Sequence, residues 1–165
     1  MRILIVKLSS IGDIVHALPA LANIRAELPD AEIGWAADSR YSELLRGNPM
    51  IDHLIEMDTS SLRGGKVIEE IFLDVARQYG NVRRYKFDVA LDMQGLLKSA
   101  TVAKFSGAAK RWGFARAHLR ERASRVFYTD TVKFGPQTHV IRRNSLLAAQ
   151  ALGFEPTESD MDFCP

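Results

Sequence analysis

Arg2-Ile3-Leu4-Ile5-Val6-Lys7-Leu8-Ser9-Ser10-Ile11-Gly12-Asp13-Ile14-Val15-His16-Ala17-Leu18-Pro19-Ala20-Leu21 is the stretch that decides the class of fold. Arg2–Lys7 is β-rich and apolar, too short for a signal peptide, and reads as a buried strand. Ser9–Asp13 makes a turn. Ile14, Leu18, Leu21, Ile24 and Leu28 then follow at helical spacing. Pro19 falls inside that pattern and predicts a kink, and Pro29-Asp30 ends it.

The same alternation continues along the chain. Glu32–Ala37 reads as a second strand, Arg40–Arg46 as a short helix and His53–Met57 as a third strand. Lys66–Tyr79 is amphipathic, with Ile68, Ile71, Phe72, Val75 and Tyr79 on one stripe. Phe87–Met93 predicts a fourth strand and Leu96–Phe105 a helix. Lys110–Phe114 and Val126–Val132 are weaker strands, with a short helix around His118–Ser124 between them. Thr138–Leu152 is the last helix, stopped by Gly153 and Pro156. This order predicts an α/β fold, Rossmann-like, with a mostly parallel sheet and helices on both faces. Thr59–Gly65 reads as the most flexible loop.

One domain of 165 residues needs neither disulfide nor metal to close a core. The only cysteine, Cys164, allows no internal disulfide and fits a reducing compartment. No apolar run nears the roughly 18 residues of a membrane span, so a cytoplasmic protein is expected. The end at Asp162–Pro165 shows no closing element and reads as an interdomain boundary. Charge is unevenly placed. Lys110, Arg111, Arg116, Arg120, Arg122, Arg125, Lys133, Arg142 and Arg143 face only Glu121 and Asp130, an excess of +7 on a remainder of −5. That imbalance suggests an anionic partner, with a solvated basic face as the plainer alternative.

In open α/β sheets, ligands bind outside the carboxyl ends of the strands. The first turn holds neither G-x-G-x-x-G nor a P-loop, and Asp13 would repel a phosphate there. Asp13 reads either as the N-cap of the first helix or as a general base at a strand end, and the two roles are compatible. Lys7 ends the strand within reach of Asp13 or Asp92. The four histidines, His16, His53, His118 and His139, are scattered and form no metal-ligand pattern, so no metal or cofactor is expected.

Lys7–Leu21 resembles the opening of the heptosyltransferases of glycosyltransferase family 9, more the type I than the type II members, whose first turn usually lacks the Ser-Ser pair. Asp92-Met93-Gln94-Gly95-Leu96-Leu97-Lys98-Ser99-Ala100 resembles a second block of that family. Arg120-Glu121-Arg122 through Phe127-Tyr128, then His139 and Arg143, form a looser third. The resemblance implies the N-terminal domain of a GT-B glycosyltransferase, with residues 1–165 on the acceptor side. A C-terminal domain, absent from this chain, would bind ADP-heptose. It implies an inverting reaction with Asp13 as catalytic base and no cofactor. The acceptor it implies is the Kdo-lipid A inner core, whose carboxylates and phosphates suit arginine forks. It further implies peripheral contact with the cytoplasmic face of the inner membrane. Ser10, Gln94, Lys98, Arg120, Arg122, Arg143 and Arg63 are the expected acceptor-binding residues. The loop around Arg63 and Lys66 is less basic than in the family. Arg120, Arg122 and Arg143 are expected to converge near the carboxyl end of the first strand. The competing classes are another family 9 transferase, a non-catalytic module for an acidic ligand, and a nucleic-acid-binding domain. The last is disfavoured by the acidic remainder and by the lack of a basic strand interleaved with aromatics.

Overall fold

The computed structural model describes residues 1–58 and 78–156. The loop Thr59–Gly65, most of the helix expected over Lys66–Tyr79, Arg63 and Cys164 lie outside the described residues. The elements are β1 (Arg2–Val6), α1 (Ile11–Val15), α2 (Leu18–Glu27), β2 (Glu32–Asp38), β3 (His53–Met57), β4 (Val89–Asp92), α3 (Leu97–Phe105), β5 (Lys110–Phe114), β6 (Asp130–Val132) and α4 (Val140–Leu152). Among the described residues, six strands form one sheet in the order β3-β2-β1-β4-β5-β6, with every pairing parallel. This is the Rossmann-like architecture expected.

β1 is central and buried from Ile3 to Val6 because it is covered on both sides. Alternate residues go to opposite layers. Ile3 and Ile5 pack with Ile14, Leu21, Ile24 and Leu147, while Leu4 and Val6 pack with Val82, Val102 and Ala103. The apolar run read from the sequence is the consequence of that double burial.

Four local expectations are corrected. The kinked first helix is two helices: α1 begins at Ile11, the chain turns at His16-Ala17, and α2 starts at Leu18. Pro19 sits in the first turn of α2, where its missing N–H breaks no hydrogen bond. The N-cap of α1 is Ser10, and Asp13 lies at the third helical position instead. Only Asp130–Val132 of the expected last strand pairs, because Arg122–Phe127 winds into 3-10 turns. Ser124 Oγ donates to the Glu121 carbonyl at 2.7 Å and the Arg125 guanidinium to the Tyr128 carbonyl at 3.0 Å, which holds those turns. The short helix near residue 40 is likewise a single 3-10 turn, Ser42–Leu44.

Candidate active site

The strand order reverses between β1 and β4, so their exit loops diverge and leave a crevice at their carboxyl ends. Lys7 through Asp13 leave β1 there, and Asp92 through Gly95 leave β4. Gln94 ties the two loops together. Its side-chain carbonyl accepts from Leu8 N at 2.9 Å and Ser9 N at 3.2 Å, and its amide donates to Ser9 O at 2.6 Å. Both the oxygen and the nitrogen of the Gln94 amide are thus engaged by the chain, and the residue is buried.

The floor of the crevice is Asp92, fully buried at the end of β4. Its carboxylate accepts from Gln94 N (2.8 Å), Gly95 N (3.1 Å), Ser99 Oγ (2.8 Å) and Tyr128 Oη (2.6 Å). Burial pushes this carboxyl above its ordinary range, and the four donors work against that rise. Burial and the adjacent carboxylate push the Tyr128 phenol up, which keeps it a donor. Gly113 makes the arrangement possible: a Cβ there would lie 2.5 Å from the Tyr128 ring.

Asp13 stands above this floor. Its carboxylate accepts from Ser10 N at 3.3 Å, which ties the first turn of α1. Two cations flank it. Lys7, buried at the end of β1, places Nζ 3.9 Å from Asp13 Oδ1 and donates to the Met93 carbonyl at 2.6 Å. Arg120 reaches over from 107 residues away and brings Nη2 within 3.3 Å of Oδ1 and 3.5 Å of Oδ2. Burial pushes the Lys7 ammonium down, against the pull of Asp13 and Asp92 and with the push of Arg120.

The approach of Arg120 depends on Gly95. That residue has φ +73°, in the left-handed region, and a Cβ on it would meet Leu119 at 3.2 Å. The neighbouring Glu121 fastens the same loop, its N–H donating to Gly95 O at 3.3 Å and its carboxylate accepting from Leu97 N at 2.5 Å. Glu121 therefore caps the exposed start of α3, where a negative charge opposes the helix dipole favourably.

The remaining sequence candidates divide by position. Ser10 is exposed at the mouth of the crevice, and Lys98 lies half-buried in the first turn of α3. Arg122 is exposed two residues beyond Arg120. Arg143 stands in the first turns of α4, donating to Thr138 O at 2.6 Å with its guanidinium 5.0 Å from the Phe134 ring centre. The start of α4 meets the α1–α2 junction, where the His16 and His139 rings lie 5.8 Å apart and Asn144 donates to His16 O at 3.0 Å. Arg120, Arg122 and Arg143 are thus all at the carboxyl end of the sheet, but only Arg120 touches Asp13. The basic stretch is not one patch. Lys110 and Arg111 open β5 at the opposite end, and Arg111 donates to Phe127 O and Ala108 O. The sequence did not reveal the Tyr128–Asp92 bond or the Gly95 approach. A carboxylate ending an apolar strand, Asp92, was the available sign.

The model of glycosyltransferase family 9 (heptosyltransferase) matches residues 75–164, more than half of the chain. The lipopolysaccharide heptosyltransferase 1 of Pseudomonas aeruginosa is 30% identical over 170 residues, which cover 99% of this chain and 46% of that protein. The lipopolysaccharide heptosyltransferase 1 of Salmonella typhimurium is 28% identical over 163 residues, 99% of this chain and 51% of that protein. Among solved structures, Escherichia coli heptosyltransferase WaaC with ADP-2-deoxy-2-fluoro heptose superposes with a TM-score of 0.87 at 25% identity, over 96% of this chain and 50% of that one. Escherichia coli ADP-heptose lps heptosyltransferase II shares the fold, with a TM-score of 0.73 at 21% identity over 99% of this chain and 44% of that one. The chain spans about half the length of the curated relatives it matches. With the family model covering all of β4 through α4 and the same fold in solved heptosyltransferases, the chain belongs to glycosyltransferase family 9.

Proposed function

We propose that this chain is the acceptor-side, N-terminal half of an inverting GT-B enzyme that transfers heptose from ADP-heptose to the Kdo-lipid A inner core of lipopolysaccharide. In this reading the donor is held by a C-terminal domain beyond residue 165, and the enzyme works at the cytoplasmic face of the inner membrane. One observation carries it: the Asp13 carboxylate is presented at the sheet's switch point between a buried and an exposed cation. The donor assignment is supported by the relative WaaC, solved with an ADP-heptose analogue.

The chemistry needs one base. The acceptor hydroxyl attacks the anomeric carbon as ADP leaves from the opposite face, and Asp13 takes the hydroxyl proton late in the step. A weak carboxylate base suffices, because an oxocarbenium-like transition state makes the attacking hydroxyl more acidic. Arg120, Arg122 and Arg143, at one end of the sheet, suit the carboxylates and phosphates of the acceptor. Ser10, Lys98 and Arg63 complete the proposed acceptor set. Gln94 serves it by holding Leu8 and Ser9, just before Ser10, in place.

Asp13→Asn in the full-length enzyme is the test. The amide oxygen still accepts from Ser10 N–H, so the start of α1 is kept while the base is lost. Heptose transfer should fall below a tenth of the wild-type rate, and a variant that keeps more than that overturns the assignment.

A further inference from the structure

We propose that Lys7 is the positioning residue of this site: its buried ammonium holds the Asp13 carboxylate in place, while Arg120 is the exchangeable cation on the same group. The proposal rests on Asp13 being the base. Lys7 occupies a position where a parallel sheet ordinarily carries an apolar residue, and it is only 3% exposed. A buried ammonium is costly without an opposite charge and a full set of acceptors. The backbone of Lys7 is pinned on both sides, its N–H donating to Ala36 O and its carbonyl accepting from Trp35 Nε1, both at 3.2 Å. The ammonium is anchored in turn on Met93 O at 2.6 Å. It is therefore a fixed charge 3.9 Å from Asp13 Oδ1.

Two carboxylates face that charge, and they differ. Asp92 already accepts four hydrogen bonds. Asp13 has only the longer contacts from Ser10 N and Arg120, at 3.3 to 3.5 Å. Asp13 is thus the group with unfilled acceptor capacity, as a base must be. Arg120 differs from Lys7 in the opposite sense: its side chain is 59% exposed, so an anionic acceptor can draw it away without unpacking the core. When it leaves, Lys7 remains to hold the Asp13 carboxylate in position. The charged and titratable groups around Asp13 are Lys7 from β1, Asp92 from β4, Arg120 from the loop after β5, and His16 beyond α1, itself faced by His139 of α4.

The test is steady-state kinetics of the full-length wild type, Lys7→Met, Lys7→Gln and Arg120→Ala, with Asp13→Asn as reference. Lys7→Met should lower kcat at least about ten-fold with acceptor KM within about two-fold, because the base is displaced while the acceptor contacts remain. Arg120→Ala should act mainly on acceptor KM instead. A Lys7→Met kcat within about two-fold of wild type, with Asp13→Asn inactive, overturns the Lys7 proposal and leaves the base reading standing. An active Asp13→Asn overturns the base reading itself. If Lys7→Met does not fold, Lys7→Gln, which keeps a donor without the charge, takes its place and the same split decides.

Discussion

Tyr128→Phe removes one oxygen from the floor of the crevice and leaves the packing in place. The ring still lies over Gly113, so the apolar contact is unchanged. What is lost is a 2.6 Å O–H···O bond to the Asp92 carboxylate. Asp92 is fully buried, so water does not replace the donor. Hydrogen bonds to a charged group contribute about 1.5–3 kcal/mol, and this one is at the short end of the range. A loss of about 2 kcal/mol corresponds to about 4–8 °C in Tm for a chain of this size. The sign with pH follows from the raised Asp92 pKa. A carboxyl raised in the folded state contributes stability that is full at acid pH and lost as pH rises through its folded value. Removing a donor to the ionised form raises that value further, so the variant loses more. The difference between the two proteins should be complete at neutral pH and shrink as pH falls through the raised Asp92 range. Urea unfolding of both at neutral and successively lower pH measures it. A deficit that is the same at every pH, or below about 0.5 kcal/mol at neutral pH, would refute an ionised Asp92 held by Tyr128.

Two further substitutions separate the structural from the functional parts of the site. Gln94→Glu keeps the acceptor for Leu8 and Ser9 N–H but sets a carboxylate oxygen against Ser9 O, so it should destabilise the protein by about 1–3 kcal/mol in urea unfolding. Arg120→Ala removes an exposed ion pair and should change stability by less than about 1 kcal/mol. In the proposed transferase the same variant should raise acceptor KM more than it lowers kcat, with donor KM unmoved in steady-state kinetics, because the contact is made before the transition state.

The chain by itself determined the elements whose pattern is local. β3 and β5 occupy the residues read from the sequence, and α4 ends at Leu152 with Gly153 in the left-handed region at φ 81°. Each is an apolar or periodic run bounded by residues that only a turn or cap accommodates. The parallel sheet follows from alternation of strands and helices, and Asp13 at the first turn follows from the placing of ligand sites outside the carboxyl ends of the strands, once the sheet is granted. The tertiary structure decided the rest. The helical pattern from Ile14 to Leu28 was continuous in sequence, but Pro19 is best placed in a first turn, so the chain broke the helix before it. Nine cations that look like one cluster were divided, because β5 carries Lys110 and Arg111 at its start and releases Arg120 beyond its end. A strand of five residues separates its ends by about 13 Å, at roughly 3.3 Å per residue. The pairing of Arg120 with Asp13 spans 107 residues, and Tyr128 reaches Asp92 across 36. Neither separation has a local signature: both depend on glycines, Gly95 and Gly113, whose missing side chains matter only once β4 and β5 lie side by side.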